Sequence, residues 1–261
     1  MPASAEVMDV GEILELQRRG LDAWIRAMAH GSENGHLAEF DGVVGAVIPA
    51  CPERSLVNCV VWRDADALGA ALDGVAEAYR SAGVNAWTVW VPDDERGAIS
   101  VLEAAGHRFD GEPAAMYLEL DDLADPRRGD LDWDAEAPAA EVGRLNDSAY
   151  GFAAGEGPGA AIGPGPDQIP TRFYRARVEG RAVCGLETID VGSDCVVTMV
   201  ATLEPFRGRG LAGRLLSAAL GDARERGMRT STLQSSMLGR GVYERLGYRV
   251  ACRLQLYERR Q

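Results

Sequence analysis

A short run rich in arginine and glycine restricts the fold of this chain more than any other segment. It consists of Arg207, Gly208, Arg209, Gly210, Leu211 and Ala212. Residues 195–202 before it are β-branched and apolar, and apolar residues recur on one helical face over residues 211–223 after it. Glycines at a helix start let the backbone approach an anion, and the free N–H groups and the helix dipole favour negative charge. The run therefore predicts a strand, an anion-binding loop for a diphosphate group, and a helix.

The run also has less specific interpretations. Arg-Gly repeats occur in disordered tails that bind nucleic acid and in ordinary surface turns. A strand directly before the run, and a helix closed by Gly227 directly after it, are not typical of a disordered tail. The context thus favours the anion-binding loop over either alternative.

Composition excludes several rival chemistries. The chain has no lysine, which rules out a Walker-type phosphate loop and a Schiff-base lysine. His30, His36 and His107 all lie in the first 110 residues, so the second half has no imidazole of its own for a Ser-His-Asp triad or a metal site. The five cysteines form no Cys-x-x-Cys pair. We therefore expect no metal.

Residues 200–212 resemble the acyl-CoA signature of the GNAT acetyltransferase superfamily, Arg/Gln-x-x-Gly-x-Gly/Ala, in which Arg207, Gly210 and Ala212 fill the fixed positions. The resemblance implies acetyl-CoA as cosubstrate, with the backbone amides of residues 207–212 around its pyrophosphate. It further implies that strand residues hold the pantetheine arm and polarise the thioester carbonyl. These strand residues are Met199, Val200, Ala201 and Thr202.

A second element, residues 238–249, is similar to the family's late helix and turn, Tyr-x-x-x-Gly-Phe/Tyr. By this resemblance Tyr243 protonates the departing thiolate. The chemistry is reasonable because a free thiol has a pKa near 8.5 and a phenol a pKa near 10, so the proton transfer is roughly balanced. The alternative is a tyrosine packed in the core whose hydroxyl reaches water.

Two departures from the family affect the site. Ser236 stands where relatives often have asparagine, which leaves a contact with the pantetheine group open. Val196 stands where some relatives have a glutamate that deprotonates the amine. Glu187, Asp194 and Glu156 are the remaining candidates for that base, and each has a solvated surface carboxylate as its alternative. We rank Glu187 first, because alternation along its strand can put it beside the splayed strand.

The order of elements indicates a duplication, so we predict an α/β (α+β) fold of two tandem GNAT-like domains. Each has a mixed, mostly antiparallel sheet flanked by helices. The first half, residues 1–120, is a degenerate domain, because Asp64 and Asp66 stand where its CoA loop belongs and Val101 replaces the tyrosine. Residues 121–137 are a linker, and the second half, residues 138–261, is the catalytic domain. The first half either forms a wall of the acceptor pocket or is purely structural.

A long segment rich in glycine and proline, residues 153–170, lies between the first helix and the second strand of the second half. Loops of this length in compact domains are usually functional or disordered. In the GNAT fold this segment borders the acceptor. It is therefore either a lid over the acceptor or a plain flexible loop.

These features together predict an N-acetyltransferase that moves an acetyl group from acetyl-CoA to a primary amine of a small molecule by direct attack in a ternary complex. The alternatives are a mycothiol-synthase-like transferase acting on a cysteinyl amine, and a non-catalytic acyl-CoA sensor. The first half carries most of the net charge of −13, which argues against nucleic-acid binding and fits a cationic acceptor or simply keeps the protein soluble.

No apolar run approaches the roughly 18 residues that a membrane span needs. The start of the chain also lacks a basic segment followed by an apolar core. We therefore expect a cytoplasmic protein without a membrane partner, with reduced cysteines, as a monomer or homodimer.

Overall fold

The computed structural model describes residues 8–124, 129–153 and 155–261. Four residues of the predicted linker, 125–128, lie outside the described residues, as does Ala154 of the predicted lid.

The described part of the first half contains three α-helices and six strands. In chain order they are α1 (Val10–Gly31), β1 (His36–Phe40), β2 (Val43–Val47), β3 (Cys59–Trp62), α2 (Ala65–Ser81), β4 (Ala86–Pro92), α3 (Arg96–Ala104), β5 (Arg108–Gly111) and β6 (Ala114–Glu119). The rest of the described chain contributes β7 (Asp132–Asp134), α4 (Ala139–Tyr150), β8 (Thr171–Val178), β9 (Arg181–Val191), β10 (Asp194–Thr202), α5 (Leu211–Glu225), β11 (Thr230–Ser235), α6 (Arg240–Glu244) and β12 (Arg249–Arg260).

Aspartates begin two helices of the first half. Asp9 accepts a hydrogen bond from the Gly11 amide at the start of α1, and Asp64 accepts one from the Ala67 amide at the start of α2. Both satisfy backbone donors that a helix start leaves free. Asp64 therefore occupies, as a helix cap, the place where the second half has its glycine-rich loop.

The described strands form one sheet in the order β1-β2-β3-β4-β12-β6-β11-β10-β9-β8-β7, and β5 also pairs with β12. Most neighbours are antiparallel. Each half has one parallel pair, β3 with β4 in the first and β10 with β11 in the second. This repeated arrangement, flanked by helices, confirms the predicted mixed, mostly antiparallel α/β fold.

The halves exchange their last strands. Strand β6 of the first half pairs with β11 and with the beginning of β12. The rest of β12, residues 254–260, pairs instead with β4 of the first half. Each parallel pair is thus continued by a strand from the other half, which local sequence patterns did not predict. The boundaries at 120 and 138 stay a prediction, and residues 132–134 within the predicted linker form β7.

Helices cover both faces of the second half's sheet. Leu215, Leu216 and Leu220 of α5 share a buried cluster with Leu186 of β9. On the opposite face, α1 of the first half contacts β9, β10 and β11. The contact is close, because a side chain at Gly20 of α1 would lie 2.9 Å from Val196 of β10. The first half therefore supplies part of the cover of the second half's sheet.

The strand exchange predicts that both halves unfold in one cooperative transition. Leu118→Ala in β6 and Leu102→Ala in α3 remove fully buried side chains, which costs about 2–5 kcal/mol each. We expect both variants to lower the midpoint of the same urea transition, followed by circular dichroism and by tryptophan fluorescence. Leu56→Ala, at a side chain that is 43% exposed, serves as the control. Two separate transitions, each moved by one variant, would contradict this coupling.

Candidate functional site

Strands β10 and β11 diverge after a short parallel pairing. Only three residues of each strand pair, Asp194–Val196 with Thr230–Thr232. Farther along β10, the register with β9 shifts between Thr198 and Ala201, and Met199 has a φ of 55°. Such a bulge bends a strand and leaves backbone groups unpaired. The result is a wedge between β10 and β11, which opens toward the C-terminal ends of both strands.

A buried carboxylate fastens the closed end of the wedge. The two oxygens of Asp194 accept hydrogen bonds from the hydroxyls of Thr230, at 2.7 Å, and Thr232, at 2.6 Å. Burial raises the pKa of Asp194 to about 6, while these hydroxyls act against the rise. Asp194 thus lies at the end of β10 opposite to the bulge, where it holds the two strands together.

The glycine-rich loop follows β10 at the open end of the wedge. Gly208 has a φ of 75° and Gly210 a φ of 72°, a conformation that favours glycine. The backbone N–H groups of residues 208–213 donate to no acceptor in the described part of the chain, whereas the amide of Arg207, which the sequence placed among the anion-binding amides, donates to the carbonyl of Glu204 at 3.2 Å. Helix α5 begins at Leu211 without a side-chain cap. These free donors at a helix N-terminus fit a diphosphate group.

The two arginines of this loop hold its shape. Arg207 donates from Nε to the carbonyl of Thr202 at 3.1 Å and from Nη2 to the carbonyl of Ala149. Arg209 donates to the carbonyl of Pro205 at 3.1 Å and lies over the ring of Phe206. Neither guanidinium group forms an ion pair with a carboxylate in the described chain. They therefore add positive charge beside the free amides while fixing the loop.

Tyr243 lies beside the wedge, on α6. Its side chain is only 9% exposed, its ring packs edge-on against Tyr248, and its hydroxyl has no hydrogen-bond partner among the described residues. Burial raises the pKa of Tyr243 above its usual value. Its helix packs against the start of α5, where Gly213 approaches Val242. The phenol is therefore a neutral proton donor near the glycine-rich loop.

Ser236 lies in the turn between β11 and α6. It is exposed, and its hydroxyl accepts a weak hydrogen bond from the Gly239 amide at 3.3 Å. Because β10 and β11 run parallel, this turn and the glycine-rich loop follow the same edge of the sheet. The predicted contact of Ser236 with the pantetheine arm stays a prediction.

Glu187 lies on β9, directly opposite Thr198 on β10. It is 3% exposed, and its carboxyl group forms no hydrogen bond or ion pair with the described residues. Its other neighbour, Phe173 on β8, belongs to a buried apolar cluster. Burial alone raises the pKa of Glu187 to about 8. Of the three candidate bases, Glu187 is the one beside the bulge, because Glu156 is an exposed loop residue.

The predicted lid packs as a wall between the two halves, apart from Ala154, which lies outside the described residues. Asp147 of α4 accepts a hydrogen bond from the Gly159 amide at 2.7 Å, and Arg54 of the first half donates to the carbonyl of Glu156 at 2.9 Å. Ile162 joins Phe173 in the cluster beside Glu187. The segment therefore covers the face of the sheet that carries Glu187.

In the first half, the equivalent wedge is filled by a side chain. The indole N–H of Trp62, at the end of β3, donates to the carbonyl of Trp90 on β4 at 2.9 Å. The carbonyl of Trp90 is thus occupied by a side chain of the protein. Together with Asp64 at the start of α2, this accounts for a fold without a second anion-binding loop.

Sequence patterns missed two glutamines of this region, Gln17 on α1 and Gln234 on β11. Gln17 is 1% exposed and hydrogen bonds to Gln234. A signal for it exists in the sequence, because Gln17 is a polar residue four positions after Ile13 and four before Leu21, within the buried stripe of α1. Its partner is not visible from the sequence.

The described residues contain neither a metal-binding cluster nor a membrane-spanning helix. No group of three or more His, Cys, Asp or Glu side chains in residues 8–124, 129–153 and 155–261 is placed to hold a metal ion. No helix in this part of the chain is long and apolar enough to cross a membrane.

Comparison with solved structures identifies the fold. A GCN5-related N-acetyltransferase from Kribbella flavida aligns with a TM-score of 0.67 and 18% identity, over 93% of this chain and 95% of that one. A tandem GNAT protein from the clavulanic acid biosynthesis pathway aligns with a TM-score of 0.59 and 14% identity, over 95% and 96%. A GCN5-related N-acetyltransferase from Sphaerobacter thermophilus aligns with a TM-score of 0.54 and 18% identity, over 84% of this chain and 80% of that one.

At these identities the likeness shows the fold, and it extends over the first half as well as the second. The comparison with curated proteins gave no match. The family model of the acetyltransferase (GNAT) domain matches residues 170–250, which include β8 to β11, the glycine-rich loop and Tyr243. Residues 170–250 are therefore a GNAT acetyltransferase domain, within a chain that has the fold of tandem GNAT proteins.

Proposed function

We propose that this protein transfers an acetyl group from acetyl-CoA to a primary amine of a small molecule, by direct attack in a ternary complex. One observation carries the proposal. The wedge after Thr198, the free amides of residues 208–213 and the neutral phenol of Tyr243 all lie at one edge of the sheet. These are an opening for a thioester arm, a site for its diphosphate and a proton donor for its sulfur.

The donor molecule binds along the open edge. The amides of residues 208–213 hold the pyrophosphate, and the backbone of residues 199–202 holds the pantetheine arm and polarises the thioester carbonyl. Backbone amides suit both tasks, because they are fixed donors that need no reorganisation during the reaction. Ser236 stands at the same edge as a further contact for the arm.

Glu187 serves as the base on the acceptor's side. Its carboxyl group is protonated at neutral pH when the site is empty, since burial raises its pKa to about 8. A cationic ammonium placed beside it favours the carboxylate and lowers that pKa again. Glu187 then accepts one proton from the ammonium and frees the nitrogen lone pair for attack.

Tyr243 protonates the leaving group and so completes the transfer of electrons and protons. The amine nitrogen forms a bond to the thioester carbon, and the bond between that carbon and sulfur breaks. The phenol of Tyr243 gives its proton to the departing thiolate. The tyrosinate recovers a proton from the amide nitrogen as its remaining positive charge is lost. The products are an acetylated amine and free CoA, and no redox partner is needed.

The cysteinyl-amine and sensor alternatives differ from this proposal in measurable ways. A cysteinyl amine is one member of an acceptor panel, and a sensor binds acetyl-CoA without releasing a thiol. We further propose a cytoplasmic setting, in keeping with five free cysteines in the structure.

Replacing the proton donor tests the catalytic step. We expect Tyr243→Phe to lower kcat by about a hundredfold or more, with binding of acetyl-CoA unchanged, because only the hydroxyl is lost. Thiol release from acetyl-CoA with putrescine, glucosamine, L-lysine or cysteinyl glucosamine measures kcat, and calorimetry measures binding. Tyr257→Phe, on β12, is the control. Unchanged kcat in Tyr243→Phe would remove Tyr243 from the mechanism, and binding without turnover for every amine would favour the sensor.

A matched pair at Gly210 tests the diphosphate site. Asparagine and aspartate both tolerate a positive φ better than other side chains, and neither meets an atom within 4 Å at its Cβ. They differ only in charge. We expect Gly210→Asp to abolish binding of CoA in calorimetry, while Gly210→Asn retains weakened binding. Equal binding by both variants would refute an anion at this loop.

The raised pKa of Glu187 makes stability depend on pH. Between its unfolded pKa near 4.5 and about 8, the folded protein holds a proton that the unfolded chain has lost. Stability therefore falls as pH rises through this window, by up to about 1.4 kcal/mol per unit. Glu187→Gln, which imitates the neutral carboxyl group, removes this contribution.

Urea titrations from pH 5 to pH 9 measure that difference without any acceptor. The wild-type protein should lose stability relative to Glu187→Gln as the pH rises. Exposed Glu156→Gln is the control, and its titration should follow that of the wild type. A constant difference between wild type and Glu187→Gln across the range would show that Glu187 ionises normally.

A further inference from the structure

A row of polar side chains crosses the floor of the wedge. Glu187 on β9 pairs with Thr198 on β10. Val196 pairs with Thr232 in the parallel pair of β10 and β11, so two residues farther along each strand Thr198 and Gln234 stand at the same level and on the same face. Glu187, Thr198 and Gln234 therefore face the same side, just after the last pair of β10 with β11 and just before the bulge in β10.

The hydrogen bonds of Gln17 fix which way the amide of Gln234 points. Gln17 donates from Nε2 to the backbone carbonyls of Met116, at 2.9 Å, and Leu233, at 3.3 Å. A carbonyl only accepts, so the amino group of Gln17 must face these two oxygens. Its Oε1 then faces Gln234 and accepts from Nε2 of that residue at 2.6 Å. The Oε1 of Gln234 consequently points away from Gln17.

This oxygen has no donor in the described part of the chain. Gln234 is half-buried, at the end of β11 where pairing with β10 has already ended. Glu187 lies two strands away from Gln234, with about 10 Å between the two backbones. Both side chains are long enough to hydrogen bond to one atom placed between them. The row thus offers the acceptors of Gln234, Thr198 and an ionised Glu187, and its donors are the Thr198 hydroxyl and the second N–H of the Gln234 amide.

We propose that Gln234, held in place by Gln17 of the first half, selects a primary ammonium as the acceptor group. A primary ammonium has three N–H donors for the three acceptors of the row. A secondary amine has fewer donors, a hydroxyl has one, and an anionic group is repelled by the ionised carboxylate of Glu187. Gln234 is thus a specificity-determining residue and Gln17 a positioning residue that acts through it. The inference rests on the proposed acetyl transfer and deepens it.

The arrangement also gives the first half a task in the reaction. Helix α1 lies against β9, β10 and β11, and Gln17 is the buried polar side chain that it brings to the wedge. The first half fixes the acceptor oxygen of Gln234, while the second half supplies the donor site and the base. The acceptor site is complete only when α1 is docked.

Methionine substitutions test the row, because methionine matches the shape of glutamine without its hydrogen bonds. The variants are Gln234→Met, Gln17→Met and the double variant. Gln261→Met, which loses a single hydrogen bond to the carbonyl of Val84 at the end of the chain, is the matched control. Each is assayed with putrescine, glucosamine and L-lysine and with their N-methyl counterparts, and its urea midpoint is measured to confirm folding.

We expect Gln234→Met to raise KM for the primary amine about tenfold and to abolish the preference over the N-methyl amine, because a hydrogen bond to a charged group is lost. KM for acetyl-CoA should stay within about twofold. Gln17→Met should act in the same direction but less strongly, with no further effect when Gln234 is already methionine. Gln261→Met should behave as the wild type.

Three results would overturn the inference without contradicting acetyl transfer. The first is an unchanged KM for the amine in Gln234→Met, and the second is an equal rise in this variant of KM for acetyl-CoA and KM for the amine. The third is independent effects of Gln17→Met and Gln234→Met in the double variant. If no amine supports thiol release, calorimetry of the same amines with CoA-loaded protein tests whether the row binds an amine at all. Amine binding that Gln234→Met weakens supports the row even though the proposed reaction fails. Amine binding that the variant leaves unchanged, or no binding at all, overturns it.

Discussion

The end of the pairing between β10 and β11 is the constraint on which the rest of the site depends. Parallel strands left to their pairing would continue to hydrogen bond, and the backbone groups of both would be satisfied. Here the bulge at Met199 turns β10 aside, while Asp194 and two threonine hydroxyls keep the other end closed. The same feature thus creates the opening, leaves backbone amides free in it and directs β10 into the glycine-rich loop.

The exchange of last strands makes this opening a property of the whole chain. Strand β11 lies between β10, from which it diverges, and β6, which comes from the first half. Because β6 pairs with β11 along its full length, the first half holds β11 in place while β10 bends away. Gln17 adds a contact across the same boundary, since it bonds to carbonyls on both β6 and β11. The position of one wall of the site is therefore set by the other half.

The sequence predicts features that depend on neighbouring residues and misses those that depend on distant ones. The loop at 207–212 and the helix after it are local, because glycine conformation and helix periodicity are encoded within a few residues. The pairing of β6 and β12 with the opposite halves is decided by packing between elements far apart in the chain. Gln17 and Gln234 are separated by 217 positions, so no local pattern joins them.

Glu187 lies between these two cases. Its place on a strand follows from the alternating pattern, but its raised pKa depends on burial, and that burial is built by distant segments. Phe173 lies beside it on β8, Ile162 comes from the packed segment before β8, and α1 arrives from the first half.

Each half has a short parallel strand pair, and side chains decide which of the two pairs is followed by an open wedge. In the first half Trp62 bonds to the carbonyl of Trp90, and Asp64 caps the following helix with a negative charge. In the second half the corresponding helix starts at a glycine and leaves its amides without acceptors. A diphosphate is repelled by the first arrangement and attracted by the second. The first half instead meets the second through α1, which contacts β9, β10 and β11 and carries Gln17 to Gln234.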